Sequence, residues 1–290
     1  MNNKYTGREI AIITDIHALL EPTIAVLNDI KKRNIKEVYS LGDNIGVGPN
    51  PKEVLELLKE NNITCIMGNS EEYCVLGIQP FNSYFNDSKI QSQLWTESKL
   101  DKTNINDLKL FQHSIDLVIG GKKVALCHFA NDVRIDFSTR STWTYQKAKK
   151  NGNNPNLQFY YTNSDEQKKL IDRKSQIRND YNKGYISAKI DPIFKGKKVD
   201  YYDEIIQGHV HFKMLTEDDK TRVRSIRALG IAYLADPTSS ASYIIIKEKE
   251  VGYDVEEILV PFNRDKMIES ILKSDMPNKD TISKFISYKR

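Results

Sequence analysis

Strand-like and helix-like segments alternate along the first quarter of the chain, and this alternation most constrains the fold. Three short apolar runs, EIAIIT at 9–14, EVYSL at 37–41 and ITCIM at 63–67, are typical of buried strands. Between them, 21–34 and 49–62 place their apolar residues on one helical face. Strands that alternate with helices across short connections predict an α/β fold, with a parallel or mixed sheet covered by helices.

The rest of the chain predicts a second sheet and a helical end. Residues 88–112 have a helical pattern, and 114–129 predict a strand hairpin through a Gly-Gly turn. A strand at 202–208 precedes three further runs, VRSIRALGIAYLA, ASYIIIKEK and GYDVEEILV. We expect these runs in a second, largely antiparallel sheet. Helical signal returns at about 264–286.

The composition is that of an ordinary globular protein, with 39% hydrophobic and 28% charged residues among 290. No apolar stretch approaches the ~18 to 20 residues that a membrane helix needs, and the N-terminus lacks the apolar centre of a signal peptide. The three cysteines, Cys65, Cys74 and Cys127, show no CxxC spacing. We therefore expect reduced thiols in a cytoplasmic protein without a membrane association.

Side chains with nitrogen or oxygen ligand atoms follow the predicted strands, at the edge where open α/β sheets bind ligands. They are Asp15, His17, Asp43, Asn69, His128, His209 and His211. The spacing of two residues within DxH and HxH allows an extended segment to direct both side chains to one side. Seven ligands exceed the need of one divalent ion, so two ions that share a carboxylate are expected. Imidazole, carboxylate and amide without thiolate suit Mn, Fe or Zn.

Each signal is weak alone, because a lone DxH or GN is usually a turn. The ordered set D-x-H, G-D, G-N, H and G-H-x-H is specific. The segments TDIHALL, LGDNIGVGPNP, MGNSEE, LCHF and GHVHF resemble, in that order, the motifs of calcineurin-like metallophosphoesterases. The resemblance spans about 9–212, and GVGPNPKEVLELL looks closest to the bacterial branch of small phosphodiesterases and nucleotide phosphohydrolases.

The resemblance implies a four-layer α/β/β/α sandwich with an inserted basic, partly helical segment. The metallophosphoesterase domain would span 1–262, and an insertion at about 132–203 would form a cap-like subdomain. Residues 263–290 would form a C-terminal helical tail. In such a fold the metal site lies between the ends of the two sheets.

The resemblance also implies how the seven ligands divide. Asp15, His17 and His211 would hold one ion, Asn69, His128 and His209 would hold the other, and Asp43 would bridge them. The ions are expected to be Mn and/or Fe, with Zn as a further option. A metal-bridging hydroxide would attack phosphorus in line.

The chain departs from the family at the residue after Asn69. Many members have a histidine there, which protonates the leaving oxygen, whereas this chain has Ser70, whose hydroxyl is a poor acid. His113 lies outside the motifs, and we expect it at a helix end or on the surface. Glu71 or Glu72 would serve as an acid only if buried. We therefore assign no catalytic acid, and we hypothesise a preference for anhydrides or activated diesters over phosphoserine-type monoesters.

A second departure is a long basic insertion. His128 and His209 are 81 positions apart (209 minus 128), which is more than the compact core requires. Residues 134–200 contain 15 Lys or Arg and 7 Asp or Glu, a net charge of +8, which leaves −4 for the rest of a chain of net charge +4. The insertion therefore predicts a basic element on a neutral-to-acidic body.

The insertion leaves the core after one expected ligand and returns before two others, so it is placed to overhang the site. NGNNPN at 151–156 predicts a loop, and a helix is expected near 165–180. Arg134, Arg140 and Lys147 are the candidates to bind substrate phosphate, and nearby aromatic residues are candidates to stack on bases.

These observations predict a cytoplasmic metal-dependent phosphohydrolase that acts on small nucleotide or phosphoester substrates, as a phosphodiesterase or dinucleoside polyphosphate hydrolase. The alternatives are a phosphoprotein or phosphomonoester phosphatase, a nuclease, and an inactive metal-bound scaffold that docks a partner. A net charge of only +4 without long basic runs argues against extensive contact with duplex nucleic acid. The sequence leaves the oligomeric state open.

Overall fold

The computed structural model describes residues 7–76, 87–130, 143–150, 154–161, 176, 201–218, 221–231 and 240–287. The strands are β1 (Glu9–Ile13), β2 (Glu37–Ser40), β3 (Thr64–Cys65), β4 (Ser114–Ile119), β5 (Lys122–Cys127), β6 (Trp143–Lys150), β7 (Asn154–Tyr161), β8 (Glu204–Gln207), β9 (Met214–Asp218), β10 (Thr221–Ser225), β11 (Ser240–Glu248) and β12 (Tyr253–Pro261). The helices are α1 (Leu20–Lys32), α2 (Pro51–Glu60), α3 (Asn69–Leu76), α4 (Asp87–Ser98), α5 (Lys102–Leu108), α6 (Arg264–Lys273) and α7 (Lys279–Ser287). Two mixed five-stranded sheets flanked by helices confirm the predicted fold class.

The first sheet has the strand order β12-β11-β1-β2-β3, in which β1, β2 and β3 are parallel. The prediction that ASYIIIKEK and GYDVEEILV belong to the second sheet is wrong, because β11 pairs antiparallel with β1 and β12 pairs with β11. The apolar run of β11 is buried on both faces, as the centre of a sandwich requires. Because apolar and polar residues do not alternate in such a run, its sequence does not indicate which sheet it joins.

The second sheet has the order β4-β5-β8-β10-β9. The expected hairpin of β4 and β5 is present, and β9 pairs antiparallel with β10. The expectation of a largely antiparallel sheet is wrong at its centre, where β5, β8 and β10 are parallel. Because β5 and β8 run side by side, their carboxyl ends lie together at one edge, which is where the chain places His128 and His209.

The two sheets pack face to face through an apolar layer. It includes isoleucines of β1 and β11 on one side and aliphatic residues of β5 and β8 on the other: Ile10, Ile12, Ile244, Ile246, Val124, Leu126 and Ile206. The outer face of the first sheet carries α1 and α2, whose Val26 and Leu58 pack in one cluster with Ile13 of β1. Pro51 begins α2 with a fixed backbone angle that suits a first helical turn.

The C-terminal segment forms α6 and α7, and α6 buries Met267 and Ile271 in a cluster with Leu19. In the insertion, β6 and β7 form a two-stranded antiparallel sheet. The loop predicted at 151–156 is wrong from Asn154 onward, because β7 begins there, and 151–153 lie outside the described residues. The helix predicted near 165–180 falls almost entirely outside the described residues. Among the residues that are described, no helix is both long and apolar enough to cross a bilayer.

Two glycine turns join the far ends of the sheets. Gly252, between β11 and β12, donates its N–H to the carbonyl oxygen of Gly120, between β4 and β5, at 2.7 Å. A Cβ atom on Gly120 would lie 1.9 Å from the Gly252 carbonyl oxygen, whereas one on the neighbouring Gly121 would meet nothing within 4 Å. Gly120 and Gly121 both have a left-handed backbone conformation, with φ of 53° and 75°.

We expect Gly120→Ala to lower the free energy of unfolding by about 3 kcal/mol, because the methyl group forces the two turns apart in addition to the backbone strain. Gly121→Ala is the matched control and should cost about 1 kcal/mol from backbone strain alone. Urea denaturation of both variants measures the difference. Equal losses would show that the contact between the turns does not constrain the sandwich.

Candidate metal centre

Loops at the carboxyl ends of five strands meet at one edge of the sandwich. Asp15 and His17 follow β1, Asp43 follows β2, and Asn69 opens α3 just after β3. From the second sheet, His128 follows β5, and His209 and His211 follow β8. The structure thus brings together all seven side chains that the sequence singled out as ligands.

The loops adopt an unusual backbone at this edge. Five of the seven residues have a positive φ: Asp15 at 49°, His17 at 52°, Asp43 at 52°, His209 at 68° and His211 at 63°. Such left-handed conformations are costly for residues other than glycine and cluster at functional sites. Hydrogen bonds between the loops hold them in place, from His17 N–H to Asp43 O (2.8 Å) and from Asp15 N–H to Gly42 O (3.0 Å).

A first group of ligand atoms surrounds the Nε2 atom of His17. The Nε2 atom of His211 lies 3.0 Å from it, the Oδ1 atom of Asp15 lies 3.9 Å away, and the Oδ2 atom of Asp43 lies 4.0 Å away. His211 Nε2 and Asp15 Oδ1 are 3.3 Å apart. Four ligand atoms from three loops therefore face one small volume.

A second group adjoins the first. Asn69 Oδ1 lies 3.0 Å from both His128 Nε2 and His209 Nδ1, and these two nitrogens are 3.2 Å apart. Asp43 Oδ2, which also faces the first group, lies 3.6 Å from His128 Nε2. The Asp43 carboxylate therefore stands between the two groups, as a shared ligand would.

These separations fit divalent ions. Bonds of about 2.1 Å to nitrogen and oxygen place neighbouring ligand atoms ~3.0 to ~4.2 Å apart. All the separations given for the two groups, from 3.0 to 4.0 Å, fall in this window. Within the part of the chain that the structure describes, the buried His17 Nδ1 atom has no hydrogen-bond partner, so no bond on that side turns the ring away from the cluster. The residues present thus suit two ions of the Mn, Fe or Zn type.

Neighbouring groups orient the ligand atoms. His128 Nδ1 lies 2.9 Å from the Leu41 carbonyl oxygen and donates to it, which leaves the Nε2 lone pair for the centre. Asp15 Oδ2 accepts from the Thr14 hydroxyl at 2.8 Å and from the His209 N–H at 3.0 Å. Gly208 permits the close approach, because a Cβ atom there would lie 2.6 Å from Asp15 Oδ2.

Electrostatics set the protonation of the first group. Burial, together with the charge of His211, lowers the pKa of His17 to about 4, although Asp43 and Asp15 act in the opposite direction. His17 is therefore neutral at pH 7 and has a lone pair to offer. Burial disfavours the Asp15 carboxylate, but His211 and the other histidines outweigh it and hold the Asp15 pKa well below its ordinary value. Burial likewise opposes protonation of His211, and Asp15 outweighs it and raises the His211 pKa.

Glu71 ties the loops of the first sheet together. Its Oε2 atom accepts from the N–H groups of Gly68 (2.8 Å) and Asp43 (3.0 Å), and its Oε1 atom accepts from those of Asn44 (2.7 Å) and Ile45 (3.3 Å). Burial and the charge of Asp43 raise the Glu71 pKa to about 7, against the backbone donors. With both oxygens committed to backbone groups, this carboxylate positions Asp43 rather than acting as an acid.

The prediction that His113 lies on the surface or at a helix end is wrong. His113 is buried before β4, and its Nε2 atom lies 3.0 Å from Glu72 Oε1. Glu72, the other carboxyl considered as an acid, is buried as well and is engaged in this pair. The burial reflects Met67 N–H bonding to the Gln112 carbonyl oxygen at 2.7 Å, which draws the chain before β4 against the end of the first sheet.

The contact of Arg134, Arg140 and Lys147 with substrate stays a prediction. Lys147 belongs to β6, and Arg134 and Arg140 fall outside the described residues. The structure instead draws attention to Lys89 of α4, whose charge acts on Asp43 and His211. No motif marks Lys89, and only the packing of α4 against α3 relates it to the centre.

This fold and this cluster of ligands define a phosphoesterase of the calcineurin type. The model of the calcineurin-like phosphoesterase family matches residues 8–213, and the chain belongs to that family. The family depends on two metal ions, and the described residues include side chains suited to bind them.

Proteins of similar length match this chain over almost all of it. The chain is 28% identical over 281 residues to protein MJ0912 of Methanocaldococcus jannaschii, with 92% of this chain and 93% of that protein covered. A metallophosphoesterase from Sphaerobacter thermophilus has a TM-score of 0.59 at 18% identity, covering 97% of this chain and 98% of its own. PH1004 from Pyrococcus horikoshii OT3 has a TM-score of 0.62 at 14% identity, covering 96% and 97%. At these identities the two structures support the fold alone.

Glu71→Gln tests the role of the buried carboxylate. The amide would turn an NH2 group toward backbone N–H donors, so we expect the free energy of unfolding of the metal-free protein to fall by about 3 kcal/mol. Urea denaturation measures this loss. Glu72→Gln is the matched control on the same helix, where the amide oxygen still accepts from His113, and we expect about 1 kcal/mol. Similar losses in both variants would contradict the positioning role.

Proposed function

We propose that this protein is a two-metal hydrolase of phosphodiester or phosphoanhydride bonds in nucleotide-type substrates. The observation that carries the proposal is the pair of ligand groups that meet at Asp43 Oδ2, 4.0 Å from His17 Nε2 and 3.6 Å from His128 Nε2. A carboxylate between two such groups is the arrangement that two-metal phosphoester hydrolysis uses. Membership of the calcineurin-like phosphoesterase family supports the same reaction class.

In this proposal the seven side chains keep the division that the sequence suggested. Asp15, His17 and His211 would hold one ion, Asn69, His128 and His209 would hold the other, and Asp43 would be the shared ligand. Mn and/or Fe are the proposed ions, and Zn is the alternative that the same donor set accepts. When bound, the ions supply a nucleophilic water of lowered pKa and neutralise charge on the phosphate oxygens.

The protein's own groups fix where that chemistry takes place. The Leu41 carbonyl holds the tautomer of His128, and the Ser70 N–H donates to Asp43 Oδ1 at 2.8 Å. Because the Ser70 N–H bonds to Oδ1, the other carboxylate oxygen of Asp43, Oδ2, faces the space between the two ligand groups. Fixed ligands of this kind hold the reacting phosphate in one orientation, and correct placement accounts for a large part of enzymatic rate enhancement.

Ser70 decides which bonds the site breaks. The side chain after Asn69 is a hydroxyl, and the nearby carboxyls Glu71 and Glu72 are engaged with backbone N–H groups and with His113. An alkoxide such as that of serine needs a proton as it leaves, whereas a phosphoanhydride releases a nucleotide that is a stable anion at neutral pH. We therefore propose anhydrides or activated diesters as the preferred substrates.

The proposal also includes a role for the insertion and a cytoplasmic location. The insertion at about 132–203 acts as a cap-like subdomain of the domain at 1–262, and Arg134, Arg140 and Lys147 contact substrate phosphates. The +8 charge of this segment supports that role, since phosphate oxygens favour Arg and Lys. Three free cysteines agree with the cytoplasm as the compartment.

A substrate panel with purified protein and added Mn, Fe, Zn or Mg tests the reaction class. We expect turnover of a dinucleoside polyphosphate and of an aryl diester, weak turnover of an aryl monoester, and little of a phosphoserine peptide. A cyclic nucleotide completes the panel. Efficient hydrolysis of the phosphopeptide without activity on dinucleoside polyphosphates would favour a phosphoprotein phosphatase. Metal binding without any turnover would favour a scaffold.

Asp43→Asn tests the shared ligand. Because the amide has one neutral oxygen and no charge to share between two ions, we expect kcat/KM to fall by at least about 1000-fold. Elemental analysis of the purified variant should show less than two metals per chain. Asp29→Asn is the control, since this residue lies on α1 and pairs with Arg33 rather than with the centre. Full activity of Asp43→Asn would overturn the bridging role.

A further inference from the structure

The turn after β5 contributes more to the centre than the ligand His128. The next residue, Phe129, is fully buried, and its ring lies against the ring of His209, with 5.1 Å between the ring centroids. The rings of His128 and His209 are also 5.1 Å apart and meet edge to face. Since β5 ends at Cys127, the second ligand group depends on how this turn places two neighbouring side chains.

Gln207, the last residue of β8, holds this turn with its side chain. Its Oε1 atom accepts from the Ala130 N–H at 2.6 Å, and its Nε2 atom donates to Ser225 Oγ, at the end of β10, at 2.8 Å. The side chain is fully buried. Because a backbone N–H only donates, the amide oxygen must face Ala130, and the bond to Ser225 fixes the other end of the amide. One side chain thus connects the turn after β5 with the strand on the far side of β8.

A backbone hydrogen bond holds the same turn where it leaves β5. Gly208 donates its N–H to the His128 carbonyl oxygen at 3.1 Å. Gln207 Oε1 holds the turn two residues later, at Ala130, so that Phe129 lies between two fixed points. Ala130 is buried, and a buried N–H that loses its acceptor is costly, which would favour a shift of the turn toward another acceptor.

The loops of the first ligand group rest on other contacts. Asp15 donates its N–H to the Gly42 carbonyl oxygen, and His17 donates its N–H to that of Asp43. Removing the Gln207 amide should therefore disturb the second ligand group more than the first.

We propose that Gln207 is a positioning residue for the second ligand group. By holding Ala130, it sets where His128 Nε2 and the Phe129 ring lie relative to His209, and so it sets the affinity of this group for its ion. Its role is indirect, since its amide bonds to Ala130 and Ser225 rather than to a ligand atom. The inference rests on the proposed function in that two ions bind.

Gln207→Met tests this role, because it removes both amide bonds and keeps a side chain of similar length. Calorimetric titration of Mn into the metal-free full-length protein measures each ion separately. We expect one of the two affinities to fall by about 10- to 100-fold, the usual effect of losing a group that orients a metal ligand, and the other to change by less than about threefold. Titration of Asn69→Ala identifies which of the two binding steps belongs to the second group.

Ser225→Ala is the matched control. It removes the partner of Nε2 and leaves the bond between Oε1 and Ala130, so both affinities should stay within about threefold of wild type. Gln207→Glu is the conservative variant, in which one carboxyl oxygen still accepts from Ala130 and the Ser225 hydroxyl can donate to the other. It should keep most of the affinity that Gln207→Met loses.

Melting temperatures of the metal-free variants show whether a loss comes from misfolding. If Gln207→Met does not fold, Gln207→Asn replaces it, because its shorter side chain withdraws the acceptor from Ala130 by the length of one methylene group. Unchanged affinities, an equal loss of both ions, or the same loss in Ser225→Ala would overturn the role of Gln207.

These titrations need no substrate, so they separate the role of Gln207 from the proposed reaction. If wild type binds two ions but hydrolyses nothing in the substrate panel, the proposed function fails, and the titrations still decide the role of Gln207. If wild type binds fewer than two ions, both fail.

Discussion

The Glu71 carboxylate accepts four backbone N–H groups, from Gly68 before α3 and from Asp43, Asn44 and Ile45 after β2. These loops carry two of the proposed ligands, and neither loop has regular secondary structure to fix it. An acceptor with two oxygens, buried between these loops, sets their separation and satisfies these four backbone N–H donors. The positive φ of Asp43 persists because this carboxylate holds the backbone on both sides of it.

Much of the fold and most of the site could be predicted from the sequence, for local reasons. The pattern of apolar residues predicts the first three strands and two helices. Ligand-type residues that follow parallel strands lie together at one edge of the sheet. Sheet membership is a long-range property, and for that reason the local sequence does not show that the isoleucine run of β11 joins the first sheet. His113 was missed similarly, since its burial depends on a contact with the end of β3 that no local pattern encodes.

Lys89 shows the opposite limit of sequence reasoning. Its position in an amphipathic helix resembles that of many solvated lysines, and it lies 19 positions after Ser70 (89 minus 70). What relates the two is Gln93, which anchors α4 to the Ser70 carbonyl. Ser70 and Lys89 therefore lie on two helices that pack together, and only the three-dimensional structure shows this.

The centre takes ligand atoms from both halves of the sandwich, with Asp15, His17, Asp43 and Asn69 from the first sheet and His128, His209 and His211 from the second. Between the sheets lies an aliphatic layer, whose dispersion contacts are individually weak and have no direction. A slip of one sheet over the other by a single residue, ~3.3 Å, would exceed the length of a ~2.1 Å coordination bond. The affinity for two ions bound between the sheets would therefore depend on how the sheets are aligned. Mutations deep in the aliphatic layer should change the metal affinity first.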